Sequence, residues 1–245
     1  MKRHLMTIAL GLVISTPTLA QQNSQGQQPG CSISATLVNH LQSQLTAAAA
    51  SGNGGLNTPN RMWSAVVDRQ GVLCSVIRSD PDAWPGSRSI AIAKASTAND
   101  FSSHTLALST ANLYSFTQPA NTNTSAVPAG SLYGLNNSNP FNPGFQPQGT
   151  GVGGVPGGII TFGGGVPLYS NGQVIGGLGV SGDTACADHA VAYTMRRLAG
   201  LNGIPPKNLG LNGTDNIIYL DNTVGELPNT TKHPHCIASQ DITPQ

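Results

Sequence analysis

Asn171-Gly172 separates two strand-like runs, "GVPLY" and "QVIGGLGV", and a two-residue Asn-Gly loop commits such runs to a β-hairpin. The tight turn needs positive φ at both central positions, which Asn and Gly tolerate best. The stretch "RMWSAVVDRQGVLCSVIR" repeats the pattern. Asp68-Arg69-Gln70-Gly71 supplies its turn, with Gly71 free to take positive φ. Two hairpins predict a mainly antiparallel sheet and exclude a doubly wound parallel one. Helical patterns surround them. Ser32 is placed to cap a helix through "ISATLVNHLQSQLTAAAA", where Ile33, Leu37, Leu41 and Leu45 recur every fourth position. A second helix starts at about Ser87, "TLALSTANLY" reads as a third, and Asp183 or Thr184 caps a last one running to about Leu201. The expected class is α+β: a central sheet built from two hairpins, flanked by helices.

The second hairpin ends in a glycine corner that fits two motifs superficially. Gly177, Gly179 and Gly182 have GxGxxG spacing, yet a dinucleotide site needs a parallel unit and an acid about twenty residues on. That place holds Asn202-Gly203, and no acid follows until Asp215. Ser181 resembles a nucleophile in GxSxG, but Asp183 stands where the last glycine belongs. A triad would have to recruit Asp215 or Asp221 and His233 or His235. The corner is better read as shape: glycines let strand and helix approach closely, and Asp183 or Thr184 caps the helix.

The chain begins with basic Met1-Lys2-Arg3-His4, an apolar run from Leu5 to Ile14, and Thr18-Leu19-Ala20 before Gln21. These are the parts of a secretory signal peptide over 1–20. A Gln-rich flexible leader follows at 21–30, and a single domain is expected over 31–245. That domain carries a long Asn-, Pro- and Gly-rich loop at about 117–157. Charged residues are 9% of the chain and the net charge is +1, so nothing predicts nucleic acid or an anionic membrane as partner. No later run is apolar and long enough to insert in a bilayer. The expected location is secreted or periplasmic. Four cysteines in such a compartment, Cys31, Cys74, Cys186 and Cys236, favour two disulfides, with three pairings open.

Four stretches together resemble the GlcG/HbpS family. "AVVDRQG" (65–71) looks like its first hairpin, and "SRSIAIAKASTA" (87–98) like its Lys-Ala-x-Thr-Ala helix. "GGGVPLYSNGQVIGGLGVSG" (163–182) looks like its second hairpin, and the segment after Asp183 like its last helix. The resemblance implies an α+β fold, often a homo-oligomer, and binding of haem or a related tetrapyrrole. The loop at 117–157 is longer than in compact members and resembles an exported subgroup that also carries "CADH" and "HPxC" elements.

By this resemblance the Lys94 helix and the junction after it border the ligand site. His104, with Thr105 beside it, becomes the candidate axial ligand to haem iron. Lys94 and Arg88 are candidates for the propionates, and His189 for the pocket wall. Trp63 and Trp84 offer faces for a porphyrin. Arg78 and Asp80 follow the first hairpin, and Asp68 reads as a turn residue. Cys186-Ala-Asp-His189 with His233-Pro-His235-Cys236 has the chemistry of a zinc or copper site. An oxidising compartment instead joins Cys186 to Cys236, leaving Cys31 to pair with Cys74. Closing such a loop contributes about 4 kcal/mol on the chain-entropy account. The expected function is exported haem binding, for sequestration, sensing or transport, with the ligand between the sheet, the Lys94 helix and the long loop. One rival is a small exported hydrolase or oxidoreductase using Ser181, His189 and Asp183, or a metal at the Cys/His cluster. Another is a structural oligomer without ligand.

Overall fold

Both hairpins form in the computed structural model, which describes residues 30–119, 132–135, 151–208, 213–220, 232–237 and 241–245. The signal peptide, nearly all of the leader, most of the long loop and Asp221 lie outside the described residues. Strands β1 (Trp63–Asp68) and β2 (Leu73–Arg78) make the first hairpin; β3 (Gly165–Ser170) and β4 (Gln173–Ser181) make the second. Asn171 and Gly172 take φ of 50° and 75°, and Gly71 takes 80°, as the turns require. The sheet order is β2-β1-β4-β3. Each neighbour is antiparallel, with Ala65 of β1 opposite Val76 of β2 and Gly179 of β4.

Helices cover both faces, so the protein is α+β. Helices α1 (Ala35–Ser43), α2 (Leu45–Ala49) and α4 (Ala185–Leu198) share one face with Val66, Leu168, Leu178 and Val180. Helix α3 (Ser87–Asp100) lies on the other with Trp63, Ala65 and Val67. The split follows the period-2 alternation of β1. No helix among the described residues is long and apolar enough to cross a membrane.

The glycine corner sets the spacing between α3 and the sheet. A Cβ on Gly177 would lie under 3.0 Å from Ala95 O, and one on Gly179 equally close to Ala91 O. On Gly182 it would strike Arg61 O. These positions allow backbone to pack against backbone; they hold no phosphate cradle and arm no hydroxyl. Ser181 is buried and pairs in register with Trp63.

Several boundaries differ from the sequence reading, each for a local reason. Ser34, not Ser32, caps α1, its Oγ accepting from Leu37 N at 3.3 Å. Ser32 is tied to the first hairpin turn, its N–H donating to Asp68 Oδ2 at 2.7 Å. Thr184 caps α4, which ends at Leu198 rather than about Leu201, with Gly200 following in the left-handed region. The segment "TLALSTANLY" is not helical. Its side chains bind its own backbone instead: Leu108 N–H donates to Ser102 Oγ, and Ser109 N–H to Asn112 Oδ1. Thr110 N–H is taken by Gly165 O at 3.0 Å. Tyr219 and His233 form an isolated parallel bridge between two late segments.

Both expected disulfides are present, Cys31–Cys74 and Cys186–Cys236. The first ties the entry to α1 onto β2, and the second ties the tail to the first turn of α4.

Gly179→Ala is expected to lower stability by more than about 3 kcal/mol, because backbone on both sides must move. Gly86→Ala, at a helical φ of −63° with open space around it, should change stability by less than about 1 kcal/mol. Urea unfolding of the two variants checks the contrast.

Candidate functional site

Eleven of the fourteen α3 residues are buried, so the polar ones must find partners inside the protein. Lys94 Nζ donates to Asp188 Oδ2 at 2.7 Å and to Val180 O at 3.2 Å, and lies 4.8 Å from the centre of the Phe162 ring. The side chains are 0% and 2% exposed. Gly164, at φ +122°, keeps the room clear: a Cβ there would sit 2.7 Å from Nζ. Burial pushes the Lys94 amine down and the Asp188 carboxyl up to about 6, against the attraction between them. Lys94, a sequence candidate for a propionate, is thus held in an internal ion pair. Its partner Asp188 was not singled out for that role. The signal was present: a lysine within "AIAKASTA" sits on an all-small helix buried on every side and requires an acid.

The other candidates fall elsewhere. His104 and Thr105 are exposed. Val174 N–H donates to His104 Nδ1 at 3.2 Å, so the neutral ring carries its proton on Nε2. Iron could bind there only after this bond is exchanged or the tautomer changed. Val174 and Val180 stand six residues apart on β4, which separates the His104 and Lys94 neighbourhoods by about 20 Å. His189 is fully buried. Its Nε2 accepts from Ile217 N–H at 3.0 Å and meets Asn216 Oδ1 at 3.2 Å, while Nδ1 has no hydrogen-bond partner. Burial pushes this imidazole down to about 3, and His233 likewise to about 4.

The proposed hydrolytic trio is not a relay. Asp183 accepts from Leu56 N, Asn57 N and Asn60 Nδ2, and neither it nor His189 hydrogen-bonds to Ser181. Asp68 does act in the turn, its Oδ1 accepting from Gln70 N and Val72 N. A second buried ion pair, Arg196 with Asp215, escaped the sequence reading because its members stand nineteen positions apart with no motif to link them.

Arg88 and Trp63 do share a site. They line a cleft of about 350 Å³ at the start of α3, together with Arg78, Pro81, Asp82 and Pro85. The Arg78 guanidinium lies 5.7 Å from the Trp63 ring centre and donates to Pro81 O at 3.0 Å. Trp63 Nε1 donates to Trp84 O at 3.0 Å, leaving the Trp84 ring 54% exposed beside it. Arg78 presents an exposed guanidinium at this opening beside the indole of Trp63, while Arg88 lines the cleft with a side chain that is 1% exposed and partnered within the protein. Such a surface takes a flat, partly apolar ligand bearing carboxylates.

A family model described as "Haem degrading protein HbpS-like" matches residues 33–196. No curated protein matches the sequence. Among solved structures, the chain is similar to the Klebsiella pneumoniae protein ORFY of family DUF336: 24% identity, covering 75% of this chain and 98% of that one, TM-score 0.48. It is similar to the protein of a PduOC:heme complex at 25% identity, with 71% and 99% covered and a TM-score of 0.49. A double mutant of Streptomyces reticuli HbpS matches at 17% identity, with 76% and 98% covered and a TM-score of 0.42.

The buried imidazoles make stability depend on pH. A histidine held neutral by burial leaves the unfolded chain the better proton acceptor below its ordinary pKa of about 6.5. Stability is therefore complete above that pH and lost as pH falls toward the folded value. Asp188 and Asp100, both raised by burial, act in the opposite sense. The His189 contribution is isolated by comparison with His189→Gln. Between pH 6 and 4, wild type should lose about 1.4 kcal/mol more per pH unit than the variant, in urea unfolding at each pH.

Proposed function

The chain belongs to the HbpS-like family, and from that premise we propose that it binds a haem-like tetrapyrrole at the cleft where α3 begins. The observation that carries this is the exposed Arg78 guanidinium set over the Trp63 indole at one opening. The Arg78 guanidinium meets a propionate through charge-assisted hydrogen bonds, and the indoles of Trp63 and the exposed Trp84 offer apolar surface to the ring. The residues fit the macrocycle's carboxylates and apolar face. They do not fit its iron: none of the cleft-lining side chains is a His, Cys, Met or Tyr. Lys94 supports the site from below, fixing α3 against α4 and β4. Two disulfides suit an exported protein. The role proposed is sequestration, sensing or transport of the tetrapyrrole outside the cytoplasm.

Titrating the purified protein with hemin and with metal-free protoporphyrin IX tests this reading. Both should show saturable absorbance changes with affinities within a few-fold of each other. Arg78→Ala should weaken both by about tenfold or more, since a charge-assisted bond contributes about 1.5–3 kcal/mol. His104→Ala should leave both unchanged. Binding of hemin alone, lost in His104→Ala, would move the ligand to the end of β4 and overturn the cleft assignment.

A further inference from the structure

Beyond the tetrapyrrole site, the tail joined to α4 brings two sulfurs and an imidazole together. Cys186 Sγ, Cys236 Sγ and a ring nitrogen of His233 all lie within 4.8 Å of one another. We infer that the Cys186–Cys236 disulfide is the closed form of a metal site. On reduction, the two thiolates and His233 bind one thiophilic d10 ion, zinc(II) or copper(I).

The surroundings favour thiolate and a neutral imidazole. Cys186 is the second residue of the fourteen-residue helix α4, where unpaired N–H groups and the helix dipole stabilise a sulfur anion. Its own N–H donates to Cys236 Sγ at 3.2 Å. His233 is 2% exposed, and its Nδ1–H donates to Pro234 O at 2.7 Å. That bond fixes the tautomer in the way that backbone carbonyls orient metal-binding imidazoles. It leaves the lone pair on Nε2, which accepts from Gly163 N–H at 3.2 Å. The Tyr114 ring packs 4.9 Å from the imidazole. Two sulfurs and one nitrogen, with water as fourth ligand, suit zinc; the three alone suit copper(I).

The other bridge is an internal comparison. Cys31 and Cys74 lie near Asp68, but that carboxylate already accepts from Ser32 N, Gln70 N and Val72 N and is not an imidazole.

Opening the site needs a dithiol reductant. Its first thiolate attacks one sulfur, the Cys186–Cys236 bond breaks, and its second thiol closes the reductant's own disulfide. Two electrons and two protons pass to the cysteines. A divalent ion then displaces both protons as it binds the sulfurs.

The full chain, reduced with a phosphine, is titrated with cobalt(II) alone as a coloured stand-in for zinc, beside the unreduced protein. One equivalent should produce a thiolate-to-cobalt charge-transfer band in the reduced protein and none in the oxidised one. His233→Ala should weaken binding by at least about tenfold, while His40→Ala on exposed α1 should not. Bound zinc should slow alkylation of Cys186 and Cys236 but not of Cys31 and Cys74, read by mass mapping. An absent band, equal affinity in His233→Ala, protection of the other pair, or unfolding on reduction would each overturn the inference. None of these readouts involves a porphyrin, so the two proposals stand or fall separately.

Discussion

The distance between α3 and the sheet is fixed by side chains that are not there. Gly177 and Gly179 on β4 lie under the backbone carbonyls of Ala95 and Ala91, and a Cβ at either would collide with them. This close seating has an electrostatic consequence. A helix buried on nearly every side has no solvent for its polar groups, so most are answered internally, Ser96 Oγ being an exception. Lys94 reaches across to Asp188 on α4. Thr97 Oγ1 donates to Ala93 O and accepts from Ile160 N–H. Arg69 Nη1 donates to Asn99 Oδ1 at 3.0 Å and binds Asn99 O as well. The glycine seam thus makes α3 the hub through which the second helical layer, the hairpin turn and the 158–164 segment are joined.

The Lys94–Asp188 pair shows the price of that arrangement. Both groups are removed from water, and burial opposes charge on each more than the partner favours it. The pair need not raise net stability to matter. It couples α3 on one face of the sheet to α4 on the other at the point where Gly164 turns the chain into β3. Any slip of α4 would leave a buried charge without its partner, so the pair selects one register of the layers.

Local chemistry explains which parts were legible from sequence. Both hairpins, α3 and the cap region of α4 were readable because turn residues and period-2 or helical patterns act within a few residues. The Cys186–Cys236 bridge was expected once the Cys/His cluster was weighed as a disulfide rather than a metal site, and Cys31–Cys74 was the pair that remained. The segment 105–114 was misread because its apolar spacing suits a helix, while Ser102, Ser109 and Asn112 divert its backbone bonds. Nothing within ten residues reveals that Gly165 O and Asn208 O will claim Thr110 N–H and Ala107 N–H. The site was legible as residue types and not as geometry. Arg88 and Trp63 share a cleft, whereas Lys94, His104 and His189 were expected beside a ligand and lie in separate neighbourhoods. Their partners, Asp188, Val174 N–H and Ile217 N–H, come from elements distant in sequence.

The histidines follow one rule that separates the two ends of this chemistry. His104, His189 and His233 each accept a backbone N–H, from Val174, Ile217 and Gly163. Where such an N–H has no backbone acceptor, a neutral imidazole keeps it satisfied. A ring used this way is a structural group first, and what else it can do depends on its second nitrogen. In His104 the Nδ1 lone pair is held by the Val174 N–H and the proton sits on Nε2, so ligation requires that this bond be exchanged or the tautomer changed. In His189, Nε2 meets both Ile217 N–H and Asn216 Oδ1, and the fully buried ring has no hydrogen bond at Nδ1. In His233 the proton is anchored to Pro234 O, so the Nε2 lone pair can pass from an N–H to a metal without any proton moving. The same backbone demand therefore places three imidazoles in three settings, and His233 is the one that lies beside the two sulfurs.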